Sequence, residues 1–319
     1  MKKSVAQVTN QALKKQLVSL FTQQISPSDF NLLTNSQYSR NSTLAMCKDW
    51  NIFIEYCLNR HLTPLPSSAD TVSLFLTHSA KQRKYATIKR YAVTISLVNR
   101  ILFGYQQDPT QVLSVKKILA NLRIDKKGDS SSTIAITKKH IKQLHARLSK
   151  SDRPKDIRNL TIYYLMFEVA MRRSELRDLR YEQIHLQQNY LVAIGENQYP
   201  LSQKASDCLK RWLNVRGHCQ GPLFCAIDKH ANLAHEPLND SSIYRLMREA
   251  AVYLGVSDKF SGHSLRVGAV KELASKGMKV SEIQRFGRWL SPVMPYQYLG
   301  KNNKAEQIQL KYLAIKPLP

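Results

Sequence analysis

Apolar positions in this chain recur mostly at three- and four-residue steps, a period that predicts helices. Over residues 1–35 the pattern is weak and predicts only a partly ordered lead-in. From Ser42 or Thr43, either of which can cap a helix, to about Arg60, the side chains of Trp50, Phe53, Ile54 and Cys57 share one face. Pro64 and Pro66 end that helix, and Ser68 or Asp70 opens a short one through Val72, Phe75 and Leu76. The clearest stripe is Ile88, Tyr91, Ile95, Val98 and Leu102. Asp108 and Pro109 offer a cap and a first-turn proline for a fourth helix reaching about Arg123.

The polar, serine-rich stretch Asp125 to Thr133 separates this region from a second periodic one and reads as a linker. Beyond it Thr137 caps a basic helix, and 158–170 reads as a buried helix. Two short strands, Tyr190 to Ile194 and Gln198 to Leu201, flank a tight turn at Gly195-Glu196-Asn197. Helical pattern then dominates, at about 202–216, 240–254, 263–276, 280–286, 291–299 and 303–314. The expected organisation is a lead-in at 1–35, a helical domain at 36–124, a linker at 125–136 and a domain at 137–319. The fold class is mainly α, with one small β-hairpin sheet in the C-terminal domain.

Composition narrows the partners. At 319 residues, 43% hydrophobic and 22% charged, the chain suits two folded domains rather than global disorder. It carries 48 Lys plus Arg against 23 Asp plus Glu, a net +25. Eighteen basic and seven acidic residues fall within the first 130, so both halves are basic and the charge is not a tail. Such a surface suits a polyanion, and double-stranded DNA held by phosphate contacts is the expected partner. Basic ribosomal or membrane-surface proteins usually place their charge in disordered extensions or amphipathic helices, and neither is legible here. No run of 18 apolar residues and no signal-peptide pattern occurs, so no membrane partner is expected, and the expected location is cytoplasmic and nucleoid-associated. The five cysteines are odd in number and lack a CxxC pair, as expected of reduced thiols.

Three stretches carry candidate chemistry. In Ser261-Gly-His-Ser-Leu-Arg-Val-Gly268, a helix starting near His263 puts His263 and Arg266 on one face, where both can converge on one anion. Ala170-Met-Arg-Arg-Ser-Glu175 places Arg172 and Glu175 where the chain leaves an apolar helix. Phe286-Gly-Arg-Trp289 is followed, nine residues after Trp289, by Tyr298. Alone, the His263 and Arg266 pair reads as a solvated helix face or a cap, Arg172 and Glu175 as a surface ion pair, and Tyr298 as one of 15 tyrosines.

In this order the elements resemble the tyrosine recombinase and phage integrase family, most closely its Cre-like branch. The A-M-R-R-S-E stretch is similar to the family's G-L-R-x-x-E, S-G-H-S-L-R-V-G to the branch's His-x-x-Arg signature, and F-G-R-W to its A-G-G-W. The resemblance spans about residues 137–300, and the N-terminal helices resemble the family's core-binding domain. It implies a site-specific recombinase that cleaves and rejoins DNA through a 3′-phosphotyrosine on Tyr298. Arg172 and Arg266 would stabilise phosphate charge, with Glu175 as helper carboxylate. His263 would donate to the phosphate or shuttle a proton, and Trp289 would offer its indole N–H. No metal, ATP or other cofactor is implied. It also implies a homo-oligomer, a dimer on each site and a tetramer in synapsis, with the last helix docking on a neighbour through Ile308, Leu310, Leu313 and Ile315. Lys81, Arg83, Lys84, Lys89 and Arg90 around the third helix, and Lys138 and Lys139, are the expected DNA contacts.

The family's hairpin lysine, a general acid for the leaving oxygen, has no counterpart in the turn. No lysine occurs between Arg180 and Lys204, which makes Lys204 the nearest candidate. Tyr296 is a rival nucleophile two residues earlier, pointing elsewhere on a helix. His218, Cys219, Cys225, His230 and His235 could form a zinc site, although their spacing fits no usual pattern and Cys225 reads as a buried strand thiol. Two other functions stay open: a non-cleaving DNA-binding accessory protein on the same fold, or a type IB topoisomerase or telomere resolvase relative.

Overall fold

A computed structural model describes residues 5–129, 133–217 and 219–314. The chain forms two compact units, Met1–Ser131 and Ser132–Pro319, each with its own core.

The first unit is helical: α1 (Gln11–Phe21), α2 (Pro27–Leu33), α3 (Arg40–Leu58), α4 (Ala69–Ala80), α5 (Tyr85–Phe103) and α6 (Leu113–Asp125). The stripe on α5 is buried in full. Ser39 and Ser68 cap α3 and α4 through their hydroxyls, one turn earlier than read for α3. The segment expected to be a loose lead-in contains α1 and α2, with Leu17, Phe21, Phe30 and Leu33 buried. In α1 the side chains of Leu13, Leu17, Leu20 and Phe21 do stand at three- and four-residue steps, so that helix is legible, whereas the seven-residue α2 is too short to show a period. Helix α1 finds a partner in Trp50, whose ring lies 6.0 Å from that of Phe21 and whose indole N–H donates to the Phe21 carbonyl. The helix expected to start at Asp108 does not. Asp108 caps a single 3₁₀ turn at Pro109–Gln111, Val112 is extended, and α6 starts at Leu113. The Asp108 carboxylate is buried and held by Ser96 and Arg100, which fastens it to α5.

The second unit contains α7 (Lys138–Leu148), α8 (Pro154–Glu168), α9 (Arg173–Arg177), β1 (Ile184–Leu186), β2 (Tyr190–Ile194), β3 (Asn197–Pro200), α10 (Gln203–Arg216), β4 (Cys225–Ile227), β5 (Leu233–Pro237), α11 (Asp240–Leu254), α12 (Ser264–Ser275), α13 (Val280–Phe286), α14 (Val293–Tyr298) and α15 (Asn302–Ala314). The fold is mainly α, as expected, but the described residues form two small antiparallel sheets rather than one, ordered β1-β2-β3 and β4-β5. Ile194 pairs with Asn197, so the hairpin turn is the two residues Gly195 and Glu196, with Gly195 left-handed at φ 58. Strands β4 and β5 escaped the pattern because β5 is almost wholly exposed and carries no alternation.

Helix α8 is buried along nearly its whole length and forms the centre of this unit. A Cβ on Gly268 would lie 1.8 Å from the Ile136 carbonyl, so glycine lets the segment before α7 lie against α12, where the Ile136 N–H meets the Ser264 carbonyl at 2.9 Å. Of the residues expected to dock α15 on a neighbour, Ile315 and the side chains of Leu310 and Leu313 lie outside the described residues.

Candidate active site

Three stretches remote in sequence meet in the second unit. The first begins where α8 ends. Ala170 takes a left-handed backbone (φ 47), a conformation that costs a residue with a Cβ about 1–2 kcal/mol. The turn puts Arg172 at the N-cap of α9. Glu175, in the first turn of that helix, accepts the Arg172 N–H at 2.6 Å and pairs with its guanidinium, Nη1 to Oε1, at 2.6 Å.

The second stretch is the start of α12. Arg266 is 1% exposed, with Nη1 donating to the Ala170 carbonyl and Nη2 to that of Gly287. Its Nη1 lies 3.9 Å from Glu175 Oε2. Burial, and then the charge of Arg172, lower the Arg266 pKa to about 10. His263 stands at the N-cap position of α12, makes no side-chain capping bond and reaches solvent. Packing around its ring, followed by the charges of Arg266 and Arg173, holds its pKa below the ordinary histidine value, which favours the neutral imidazole near pH 7.

The third stretch is the turn between α13 and α14. A Cβ on Gly287 would lie 1.8 Å from the Trp289 ring, so only glycine lets the indole fold back over the turn. There it covers Arg266, whose guanidinium carbon lies 3.8 Å from the ring centroid. Tyr298, the last residue of α14, meets Trp289 edge to face at 6.0 Å. Burial raises the Tyr298 pKa, and the positive charges of Arg266 and Arg172 offset part of that rise.

Arg172, Glu175, Arg266, Trp289 and Tyr298 are thus brought together, with His263 close enough to Arg266 to feel its charge. Arg288, which the sequence reading passed over, joins them. It is left-handed (φ 59), and its guanidinium grips both Glu175 oxygens, Nε to Oε1 at 2.9 Å and Nη2 to Oε2 at 2.8 Å. The available signal was a large cation at a glycine position of the resembled motif. Burial opposes ionisation of Glu175, yet the Arg288 hydrogen bonds, the Arg172 N–H and both arginine charges outweigh it and hold the carboxyl below its usual range.

Lys204 is not brought to this cluster. It is exposed on the first turn of α10, and its charge is felt at His145 on α7. Among the expected DNA contacts, Lys81, Arg83, Lys84, Lys89 and Lys139 are exposed. Arg90 and Lys138 are exposed as well but are paired: Arg90 forks onto the buried Asp49, with two bonds of 2.7 Å, and Lys138 meets Glu272 at 3.0 Å. Tyr296 is half-buried on α14. Among the described residues no group of three or more His, Cys, Asp or Glu is arranged to hold a metal. Of the cluster weighed for zinc, Cys225 is buried in β4, Cys219 is exposed and His218 lies outside the described residues.

A pair of arginines held by one carboxylate, beside a tyrosine and an imidazole, can neutralise a phosphate and present an oxygen nucleophile to it. Comparison with known proteins agrees. The integrase/recombinase xerD homolog of Selenomonas ruminantium is 26% identical over 282 residues, covering 82% of each chain, and the recombinase cre of Escherichia phage P1 is 23% identical over 291 residues, covering 83% of this chain and 84% of that one. In fold, the chain is similar to the Tn1549 transposon integrase in complex with a circular intermediate DNA, with a TM-score of 0.59, 13% identity and coverage of 88% of this chain and 94% of that one. It is also similar to a lambda integrase dimer bound to a COC′ core site, at 0.58, 14%, 91% and 81%. Residues 135–305, over half of the chain, match the phage integrase family, and the chain belongs to that family.

Proposed function

We propose that this chain is a site-specific DNA recombinase that cuts and rejoins duplex DNA through Tyr298. The phenolic oxygen attacks the scissile phosphorus, the bond to the 5′-oxygen breaks, and a 3′-phosphotyrosine forms. Attack by a 5′-hydroxyl on that phosphotyrosine reverses the step and frees the phenol. Arg172 and Arg266 neutralise the nonbridging oxygens, and Glu175 aligns them. His263, neutral near pH 7, accepts or relays the phenolic proton, while Trp289 offers its N–H to the phosphate. Exposed cations around α5 and on α7 bind the DNA backbone, and protomers pair on a site and assemble as a tetramer in synapsis. The observation that carries this reading is the convergence of three separate stretches: Glu175 joins Arg172 to Arg266, Trp289 covers Arg266, and Tyr298 meets Trp289.

A second reading, a DNA-binding protein on this fold that does not cut, draws on the lysine-free β2–β3 hairpin and on the position of Lys204, exposed on α10 with its charge felt at His145. One experiment separates the two. The purified chain is incubated with sheared genomic DNA, and SDS-resistant adducts are isolated and sequenced. Adducts enriched at one sequence, absent from Tyr298→Phe and kept by Tyr296→Phe, are expected. Tight binding without any adduct from the parent protein would favour the second reading, and adducts lost only in Tyr296→Phe would move the nucleophile.

A further inference from the structure

The motif that F-G-R-W resembles, A-G-G-W, has glycine where this chain has Arg288. The backbone there is left-handed, a conformation that glycine takes freely and arginine does not. The guanidinium is 11% exposed, and every recorded contact points inward. Besides its fork on Glu175, Nη1 meets the Tyr199 hydroxyl and lies 3.1 Å from the Phe286 carbonyl, and Nη2 lies 3.4 Å from the Ala170 carbonyl. That carbonyl is also the acceptor for Arg266, and the carbonyl of Arg288 itself accepts from Arg172. Tyr199 lies on β3, in the hairpin that lacks the lysine, and its hydroxyl donates to the Phe286 carbonyl at 2.7 Å. One side chain therefore joins the start of α9, the Ala170 turn, the hairpin and the turn that carries Trp289.

Building on the recombinase reading, we infer that Arg288 is a positioning residue for DNA cleavage: it locks Glu175 and the Ala170 turn so that Arg172 and Arg266 hold their places at the phosphate. A carboxylate bound at one oxygen can rotate, whereas a guanidinium fork on both oxygens fixes its plane. Lysine, a point charge, cannot reproduce that fork and the Tyr199 contact together. Arginine at this position thus ties the hairpin to the arginine pair, a link that glycine cannot make.

The test compares Arg288→Gly, Arg288→Lys and the parent under single-turnover conditions on a nicked duplex that carries the trapped sequence. Glycine relieves the left-handed backbone, so the variant should fold, and a thermal melt verifies this. Arg288→Gly is expected to form adduct at saturating DNA about tenfold or more slowly, with affinity for DNA within about twofold of the parent. Arg288→Lys should recover only part of the rate. Adding Glu175→Gln should slow Arg288→Gly little further, because both changes break the same fork. A glycine variant that cuts at the parent rate, a double variant slowed by the product of the two single losses, or equal losses in binding and cleavage would each overturn the inference while leaving the recombinase reading intact. A parent that forms no adduct would remove both.

Discussion

Arg266 lies beneath the Trp289 ring, 3.8 Å from guanidinium carbon to centroid, and this contact closes the arginine off from solvent. The ring holds the cation in place beside Glu175, 3.9 Å away, without adding a second negative charge that would compete with a phosphate. Trp289→Ala is therefore expected to lose adduct formation by about a hundredfold while DNA affinity changes by about threefold or less. Trp289→Phe, which keeps a ring but no N–H, should fall between. A filter-binding assay beside a single-turnover cleavage assay measures both, and parent-like cleavage by Trp289→Ala would refute the role.

Glu175 provides a pH signature. Its carboxyl in the folded chain titrates below its ordinary value near 4.5. The unfolded chain therefore binds the proton first as pH falls, and the stability from this group is complete above about pH 4.5 and lost through the lower folded value. Glu175→Gln should melt lower than the parent near neutrality, and the gap should narrow on acidification below about pH 4.5. Thermal melts across that range test it; a gap of constant size would show that Glu175 does not couple to protonation.

Arg90 and Lys89 are adjacent on α5 but should behave differently. Arg90 neutralises Asp49, which is 1% exposed, so Arg90→Ala strands a buried carboxylate and should cost about 2 kcal/mol of stability. Lys89→Ala should leave the melting temperature unchanged and weaken DNA binding. Denaturant unfolding beside binding titrations distinguishes them, and matching stability losses would contradict the assignment.

Binding to nonspecific duplex should fall steeply with salt. With at least five exposed cations among Lys81, Arg83, Lys84, Lys89 and Lys139, the slope of log K against log salt should be about −4 or steeper. Fluorescence anisotropy at several salt concentrations measures it, and a slope near −1 would show that these cations do not contact phosphate.

Features that depend on neighbours along the chain were legible before folding. The buried stripe of α5, the Thr137 cap of α7, the hairpin between β2 and β3 and the order of the Arg172, His263, Arg266, Trp289 and Tyr298 motifs follow from local period, capping and spacing. Only the tertiary structure decided which charges are free. Arg90 and Lys89 look alike in sequence, but a carboxylate 41 positions from Arg90 captures that one alone. Helix α2 is too short to show a period, and the burial of α1 depends on Trp50, whose ring lies against Phe21. Lys204 is near the hairpin in sequence, yet α10 carries it towards His145. Arg288 reads as a surface residue of a basic chain, and becomes the centre of a network only when the turn folds it onto Glu175, 113 positions away. Ion pairs and close packing depend on distance in space, which local periodicity does not encode.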